Sequence, residues 1–520
     1  MPVTYWLEFE LSYNTWSDLS ADWHAPTPLR CVRGLAPGAR VASTGRMRFA
    51  LRNPDGRYTP GHAGALPGFE AGIGVRLRAS DGSTSATLFT GRLASIRPRR
   101  AAGEPVADLL VEDEMAALAR RELGVLRLWI DAAPRDVVRR LVEISFAPPG
   151  AYGRWRLAHP QAGALGQGAA LAGIDEGCAY DRGQASFPWV GDTWGPETRA
   201  RSALRDVCEA EGGSFHLRAD GTPVFADRHA RPKHITPEAE IGARLAGLFV
   251  EHARGPVVTR AEATVYPRAV GDSPETLWEC GVRLRLRPGE TRAITARYRD
   301  ADGAPLGALS VEGPVPGLDY TASTSEDLAD PLAVDVSESL HVRVEAGASS
   351  ARVTLTNRWP GRDAVTVHRL ALRGVALRSG APVTLAAEDS DAGFAYGRGR
   401  AVLNLRLAAD PAVGADLARA QIVQGGAPRP WLAITLDTQA GAGALAQALL
   451  RDVGDRLEVH EPGLGLDAAP CFIERVWRRI EGAGARQRVT WETSPADRYA
   501  VWLLGTPGYA ALGDSARLGY

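Results

Sequence analysis

The sequence predicts a mainly β fold with α+β parts, and three observations predict it. Short stretches such as 46–51 and 75–79 alternate in polarity, which places one face of each strand on a core and the other in water. Turn signals follow these stretches closely, as in the Asn-Pro-Asp-Gly tetrad at 53–56. The chain also has 57 glycines and 35 prolines, as is typical of a loop-rich β protein.

The 520 residues exceed what one core usually holds, so several domains are expected. The density of turns in the first hundred residues indicates a small barrel or sandwich. Helices are expected where apolar residues recur at helical spacing, and a hairpin is expected around Asp220-Gly221. The expected helices cover about 131–144 and 196–211, with two more around 413–420 and 445–449. Residues 148–196 have no clear period and are predicted to form long loops, and 276–380 are purely β.

Charge and cysteine content exclude several classes of protein. The formal net charge is -1, so no basic field is available to hold nucleic acid tightly. The five cysteines form no CxxC pair, which favours reduced thiols over a disulfide framework and makes zinc unexpected. The first residues lack a signal peptide, and no apolar run is long enough to span a membrane.

No motif of a phosphate-binding loop, a dinucleotide site, a zinc protease or a nucleophile elbow occurs in the sequence. His229, His234 and Asp227 form the nearest cluster of metal-ligating types. A metal site there would need further ligands, and polar residues in a loop are the favoured alternative. The sequence therefore predicts no metal and no cofactor.

Two acidic pairs have residue types suited to acid and base catalysis of glycan cleavage. They are Glu112 with Glu114 and Asp389 with Asp391. Such pairs are more often solvated loop charges. We therefore expect no catalytic residue and predict that the chain is not an enzyme.

Three parts of the chain carry motifs in a recognisable order. An N-terminal strand ends in an Asn-Pro-Asp-Gly-Arg-Tyr turn, and a later strand ends in Phe89-Thr90-Gly91. A helix and hairpin occupy 203–228, and the C-terminal part carries 452–457, 490–497 and a spaced ending over 502–520. Together they resemble the tail-tip and baseplate hub proteins of long-tailed phages and prophages.

The resemblance implies two hub-type β-barrel domains, an α/β middle domain and an inserted β-sandwich. The implied division is 1–120 for the first barrel, 121–244 for the middle domain, 245–275 with 380–500 for the second barrel, 276–379 for the sandwich and 501–520 for a C-terminal extended segment. Many hubs continue into a cell-wall-degrading or receptor-binding region. The end of this sequence at Tyr520 leads us to expect no lytic extension.

The resemblance also implies a homotrimer, in which two similar barrels per chain make a ring of six units. Such a ring joins the sixfold tail tube to the threefold tip of the virion and gates the channel. The implied partners are a distal tail protein ring, the tape-measure protein and tip or fibre proteins. Genomic DNA would pass through the channel without sequence-specific binding. Made in the bacterial cytoplasm, the protein would be located at the tail tip.

Two sets of structural residues are expected to matter for such an assembly. Asn53, Pro54, Asp55 and Gly56 form a turn, for which packing within the chain is favoured over a subunit contact. Trp502, Leu512 and Tyr520 belong to a terminal docking segment, for which packing and subunit contact are equally expected.

Two other functions remain open at this stage. One is a tail-associated peptidoglycan hydrolase. The other is a glycan-binding adhesion protein that uses the 276–379 sandwich.

Overall fold

The computed structural model describes residues 3–12, 14–101, 103–146, 179–242, 247–251, 257–327 and 329–499. Most of these residues lie in strands or in the turns between them, so the prediction of a mainly β fold with α+β parts is confirmed. No helix in these ranges combines the length and the apolar character needed to cross a membrane.

The first seven strands lie before residue 113 and alternate buried and exposed side chains. They are β1 (Thr4–Ser12), β2 (Thr15–Asp18), β3 (Leu29–Gly34), β4 (Ser43–Arg52), β5 (Gly74–Ser80), β6 (Ser85–Ala101) and β7 (Glu104–Glu112).

Mixed structure follows. Its helices are α1 (Met115–Arg120), α2 (Pro134–Phe146), α3 (Ala200–Glu211) and α4 (Ala230–Lys233). Its strands are β8 (Trp129–Ala132), β9 (Ala179–Tyr180), β10 (Phe187–Val190), β11 (Ser214–Leu217), β12 (Pro223–Ala226), β13 (Ala239–Ile241) and β14 (Gly247–Glu251). Gly212 ends α3 with φ +76°, a left-handed value that glycine adopts without strain.

Twelve strands and two helices come next. The strands are β15 (Arg260–Val265), β16 (Arg268–Val270), β17 (Glu275–Glu279), β18 (Leu284–Leu286), β19 (Thr291–Arg297), β20 (Gly307–Val311), β21 (Tyr320–Ser323), β22 (Leu340–Ala346), β23 (Ser350–Asn357), β24 (Val365–Ser379), β25 (Val383–Glu388) and β26 (Arg400–Leu405). The helices are α5 (Ser390–Tyr396) and α6 (Pro411–Gly425). Asp410 caps α6 by accepting a hydrogen bond from the Ala412 N–H.

The C-terminal part closes the fold with four strands and one helix. These are β27 (Trp431–Asp437), α7 (Ala442–Leu450), β28 (Arg456–Glu461), β29 (Leu466–Glu481) and β30 (Arg486–Pro495).

One 13-stranded sheet joins the two ends of the chain. Its main path runs β14-β27-β30-β29-β3-β4-β7-β6-β5-β1-β2, and β13 and β28 attach beside β29. We call β1–β7 the first half of the sheet, and β13, β14 and β27–β30 the second half. The apolar side chains of the first half form one buried cluster, and those of the second half form another together with α2 and α3.

The remaining strands form smaller sheets outside the main one. β24 pairs with five strands between residues 268 and 323, and β23 lies between β19 and β22. Their apolar faces enclose a separate cluster within 277–376. α6 covers the sheet β25-β15-β26.

The structure tests several of the element predictions. Helices at 131–144, 196–211, 413–420 and 445–449 and the hairpin at 214–226 are confirmed, although the second helix begins at Ala200. The prediction of long loops over 148–196 is wrong for its described part, because β9 and β10 lie there and pair with β12 and β8. These two strands are short, so no periodicity could reveal them. Residues 147–178 lie outside the described residues.

Candidate assembly interface

Both halves of the main sheet contain the same run of four antiparallel strands. In the first half, β4 pairs with β7, β7 with β6 and β6 with β5. In the second half, β27 pairs with β30, β30 with β29 and β29 with β28. One more strand flanks each run, because β3 lies antiparallel to β4 and β14 lies antiparallel to β27. The halves differ at the other end, where β1 is antiparallel to β5 but β13 is parallel to β28.

The equivalence extends to the register of the long strands β6 and β29. The pairing of β6 with β7 shifts at Ala94, and the pairing of β29 with β30 shifts at Glu474. The shift at Ala94 lies as many residues before Ala101, the end of β6, as the shift at Glu474 lies before Glu481, the end of β29. Shifts of this kind are β-bulges, which bend a strand at a fixed position. Ala94 and Glu474 are therefore equivalent positions in the two halves.

The other edges of β6 and β29, which pair with β5 and β28, give an independent check of this alignment. β5 begins its pairing with Gly74 opposite Arg92, and β28 begins with Arg456 opposite Phe472. Arg92 and Phe472 each lie two residues before the bulge of their strand. The two halves thus match residue by residue along three neighbouring strands.

The halves meet where β3 lies along β29, and we call this contact the seam. Six residue pairs form it, from Gly34 opposite Arg475 to Leu29 opposite Ile480. Leu29 and Ile480 are fully buried in the apolar cluster of the first half. Burial of an aliphatic side chain of this size stabilises the fold by about 1.5–3 kcal/mol.

Gly34 fits against the bulge of β29. A Cβ atom at this position would lie 2.3 Å from the carbonyl oxygen of Glu474, and φ of Gly34 is +117°. The same carbonyl accepts a hydrogen bond of 2.8 Å from the Leu35 N–H. Both the close approach and the positive φ require glycine. The bulge and the glycine together fix where β3 leaves the seam.

A buried ion pair crosses the seam between Arg33 and Asp452. The Asp452 carboxylate also accepts a hydrogen bond of 2.9 Å from the Ala219 N–H. Burial alone would raise the pKa of Asp452. The Arg33 guanidinium and the hydrogen bonds from the backbone N–H groups of Ala219 and Val453 instead hold this pKa below its usual range. Removal of either partner would leave a buried charge uncompensated.

A second guanidinium, that of Arg478, is buried on the core side of the seam. It is 2% exposed and donates a hydrogen bond to the carbonyl oxygen of Ala448 in α7. Burial lowers the pKa of Arg478 to about 10. Nearby, the Tyr5 hydroxyl donates a hydrogen bond of 2.5 Å to Oε1 of Gln487, which links β1 to β30.

Behind the bulge, the Glu474 side chain forms a bidentate ion pair with Arg231 of α4. The two contacts are 2.6 and 2.8 Å, and Ser494 donates a further hydrogen bond to the same carboxylate. Burial would raise the pKa of Glu474, but the charge of Arg231 holds it below its usual range. This pair ties the middle part of the chain to the bulge that shapes the seam.

The predicted turn at 53–56 lies in the connection between β4 and β5. Asn53 is buried, accepts a hydrogen bond of 2.8 Å from the Tyr58 N–H and donates one of 2.9 Å to the Thr59 hydroxyl. Pro54 and Asp55 are exposed. Gly56 has φ +69°, so the glycine is used as the sequence predicts. Trp502, Leu512 and Tyr520 lie outside the described residues.

The residues considered for catalysis have other contacts. Glu112 pairs with Arg46 and Arg120, and Glu114 pairs with Arg92.

The second acidic pair has a structural contact as well. Asp389 caps α5 by accepting a hydrogen bond from the Ala392 N–H. This short helix was not expected from the sequence.

The histidine cluster is not assembled as a metal site. His234 contacts Glu238 at 2.6 Å, and the His229 N–H donates a hydrogen bond to Asp227. Within the described ranges, no group of three or more ligand-type side chains could hold a metal ion.

The seam itself was missed by sequence reasoning. Its residues come from opposite ends of the chain, and the equivalent positions Ala94 and Glu474 share no chemistry. The alternation of β29 and β30 was visible, but the register that relates them to β6 and β7 is a property of the backbone.

No protein-family model matches the sequence, and no curated protein matches it. Several solved structures are similar over nearly the whole chain. The tail protein from Neisseria meningitidis MC58 is 11% identical with a TM-score of 0.48, and the alignment covers 94% of this chain and 96% of that one. The 43 kDa tail protein of prophage MuSo2 from Shewanella oneidensis is 9% identical with a TM-score of 0.45, covering 95% and 98%.

The prophage tail protein gp18 from Listeria monocytogenes EGD-e is 7% identical with a TM-score of 0.40, and the alignment covers 95% of this chain and 94% of that one. Identities and scores this low leave the function to be inferred from the residues of the chain itself.

Proposed function

We propose that the chain is the hub at the tail tip or baseplate of a phage or phage-like particle. Three copies form a ring of six similar sheet units, which joins a sixfold tail tube to a threefold tip and gates the DNA channel. The observation that carries the proposal is the residue-by-residue match between the two halves of the main sheet. A chain that holds two equivalent units allows three copies to present six equivalent positions.

The proposed domain division follows from the same comparison. All strands of the first half lie within 1–120. In the second half, β14 lies within 245–275 and β27–β30 lie within 380–500, whereas β13 precedes both ranges. The strands within 276–379 are proposed to form the inserted sandwich, although β16 and the start of β17, which pair with β24, precede this range, and 121–244 supply the proposed middle domain.

The charge of the chain suits a channel that DNA passes through. The formal net charge is -1, so the ring would not bind the phosphates of the passing DNA strongly over its surface. The proposed neighbours are a distal tail protein ring, the tape-measure protein and tip or fibre proteins. The chain would act by assembly and conformational change, without turnover. The segment 501–520, with Trp502, Leu512 and Tyr520, is proposed to dock on its own chain or on a neighbouring copy.

The decisive experiment measures the mass and the symmetry of the purified full-length chain. We expect a trimer by light scattering and a ring of six density lobes with threefold symmetry in averaged particle images. A dimer, or a trimer with three lobes, contradicts the proposal.

A turbidity assay on purified peptidoglycan tests the absence of turnover in parallel. We expect no clearing. Clearing that disappears in Glu112→Gln or Asp389→Asn would assign the chain to the hydrolases instead.

A further inference from the structure

Several strand edges of the main sheet, including those of β2 and β13, have no strand beside them among the described residues, and two others are related by the equivalence of the halves. β5 covers one edge of β6 only from Ser85 to Arg92, so residues 95–101 pair with β7 alone. β14 pairs with β27 on one side, and no strand of the described part of the chain lies on its other side. Exposed strand edges offer unpaired N–H and C=O groups to another chain.

The equivalence of the two halves shows what each open edge corresponds to. β6 is the equivalent of β29, and residues 95–100 correspond to the stretch of β29 that receives β3 in the seam. β14 is the equivalent of β3, because both flank the first strand of their run. The seam therefore joins the first half to the second half within the chain, whereas both strands of the reverse junction are present but unjoined.

We infer that β14 of one copy pairs antiparallel with residues 95–101 of β6 in the next copy, and so repeats the seam between chains. The inference rests on the proposed function, which supplies the second copy, and it names the surfaces that join the copies. The alignment of the halves also sets the register. Arg97 lies opposite Glu251, Pro98 opposite Val250, Arg99 opposite Phe249 and Arg100 opposite Leu248.

Two of the four pairs in this register, Arg97 with Glu251 and Arg99 with Phe249, bring complementary side chains together. Arg97 and Glu251 are both exposed and would meet as opposite charges. Phe249 is 62% exposed on β14, which is unusual for a large apolar side chain. Its proposed neighbour Arg99 offers an alkyl stem that can cover the ring.

The opposite face of β14 agrees with the alignment. Leu248 and Val250 are half-buried and pack against the apolar cluster of the second half. Their equivalents in β3 are Leu29 and Cys31, which are buried in the cluster of the first half. β14 thus turns the same face to its core as β3 does, so its free edge has the orientation that β3 presents to β29.

A junction of this kind is directional. β14 belongs to the second half and residues 95–101 belong to the first half, so each copy offers one edge of each type. Head-to-tail contacts between unlike surfaces generate closed rings when the rotation between neighbours closes. With three copies, three seams within chains would alternate with three junctions between chains.

Charge reversal tests the pairing in the full-length chain. Arg97→Glu and Glu251→Arg each place like charges opposite one another, so we expect each to weaken the trimer by about tenfold per junction, measured by sedimentation. The combined variant restores an opposite pair and should return the trimer towards wild-type strength. Arg48→Glu, on the interior strand β4, is the matched control and should leave the mass unchanged. If both single variants weaken the trimer and the combined variant does not restore it, the proposed register is wrong.

Cysteine cross-linking separates this inference from the proposed function. The variant with Arg97→Cys and Glu251→Cys should form disulfide-linked dimers and trimers under mild oxidation, whereas each single variant should not. If the wild-type chain is a trimer but charge reversal and cross-linking both have no effect, the edge pairing is wrong and the trimer stands. If the wild-type chain stays monomeric at every concentration and the double-cysteine variant gives no cross-links, both proposals fall.

Discussion

β6 and β29 occupy the same place in the two halves of the sheet, yet their edges carry different residues. The covered stretch of β29 reads Trp477-Arg478-Arg479-Ile480, and the open stretch of β6 reads Arg97-Pro98-Arg99-Arg100. Proline and charged side chains on an open edge discourage unspecific pairing. Under the proposed pairing, the edge of β29 is covered within the chain during folding and the edge of β6 by a separate copy afterwards, and this difference accounts for the different side chains at equivalent backbone positions.

The largest expected effect comes from a side chain at Gly34, where the seam is tightest. Gly34→Val would place Cβ against the Glu474 carbonyl oxygen, so we expect a loss of more than about 4 kcal/mol in the free energy of unfolding, or no folded protein. Gly38→Val is the matched control, because Gly38 also has a positive φ but an added Cβ there would meet no atom of the described residues within 4 Å. We expect it to cost only about 1–2 kcal/mol in urea unfolding. Equal losses in the two variants would mean that backbone strain, and not the close approach, sets the requirement.

The second largest effect is expected from the loss of the ion pair between Arg33 and Asp452. Arg33→Met leaves Asp452 buried without its counter-ion, and we expect a loss of about 3–5 kcal/mol. The double variant Arg33→Met with Asp452→Leu should recover part of this loss, which a double-mutant cycle measures. Arg285→Met removes an exposed pair with Glu326 and should change stability by less than about 0.5 kcal/mol. Additive effects of Arg33→Met and Asp452→Leu would show that the pair is not coupled.

Asp113 follows the last residue of β7, at a position where the second half has Pro495 instead. Burial raises the pKa of Asp113 to about 7. A raised carboxyl pKa stabilises the fold below about pH 4, and this contribution is lost as the pH rises towards 7. We expect the wild-type chain to lose about 2 kcal/mol more than Asp113→Asn between pH 5 and pH 8 in urea unfolding. Parallel pH curves for the two proteins would show that Asp113 is ionised throughout this range.

The smallest expected effect lies in the connection between β4 and β5, which occupies the place that α7 has in the second half. Asn53→Ala removes the acceptor for the Tyr58 N–H and the donor to Thr59, so we expect a loss of about 1–2 kcal/mol in thermal or urea unfolding. Asp55→Ala, on the exposed part of the same turn, should stay within about 0.5 kcal/mol. An equal loss in both variants would point to a contact made by the tip of the turn.

The sequence predicted the elements whose pattern is local. β28, β29 and β30 alternate clearly, and α3 has an apolar stripe that ends at Gly212. α5 was not predicted, because its seven residues include a glycine and leave Phe394 97% exposed, so no apolar face marks it.

The candidate interface could not be predicted from the sequence in the same way. The halves match in strand order, register and bulge position, while equivalent residues such as Arg97 and Trp477 differ in type. Backbone hydrogen bonding sets the match, and side chains then adapt to their separate surroundings. The sequence shows no simple tandem repeat, and a second similar unit was expected only because the resemblance to tail-tip and baseplate hub proteins implies one.

The seam has a consequence for how the protein is made. β3 leaves the ribosome long before its partner β29, because β4–β28 lie between them in the sequence. Contacts between such distant segments form slowly, because a long loop must close before they contribute. During synthesis one edge of β3 therefore stays open to any other strand, and newly made chains in crowded polysomes are expected to need a chaperone until residue 480 has emerged.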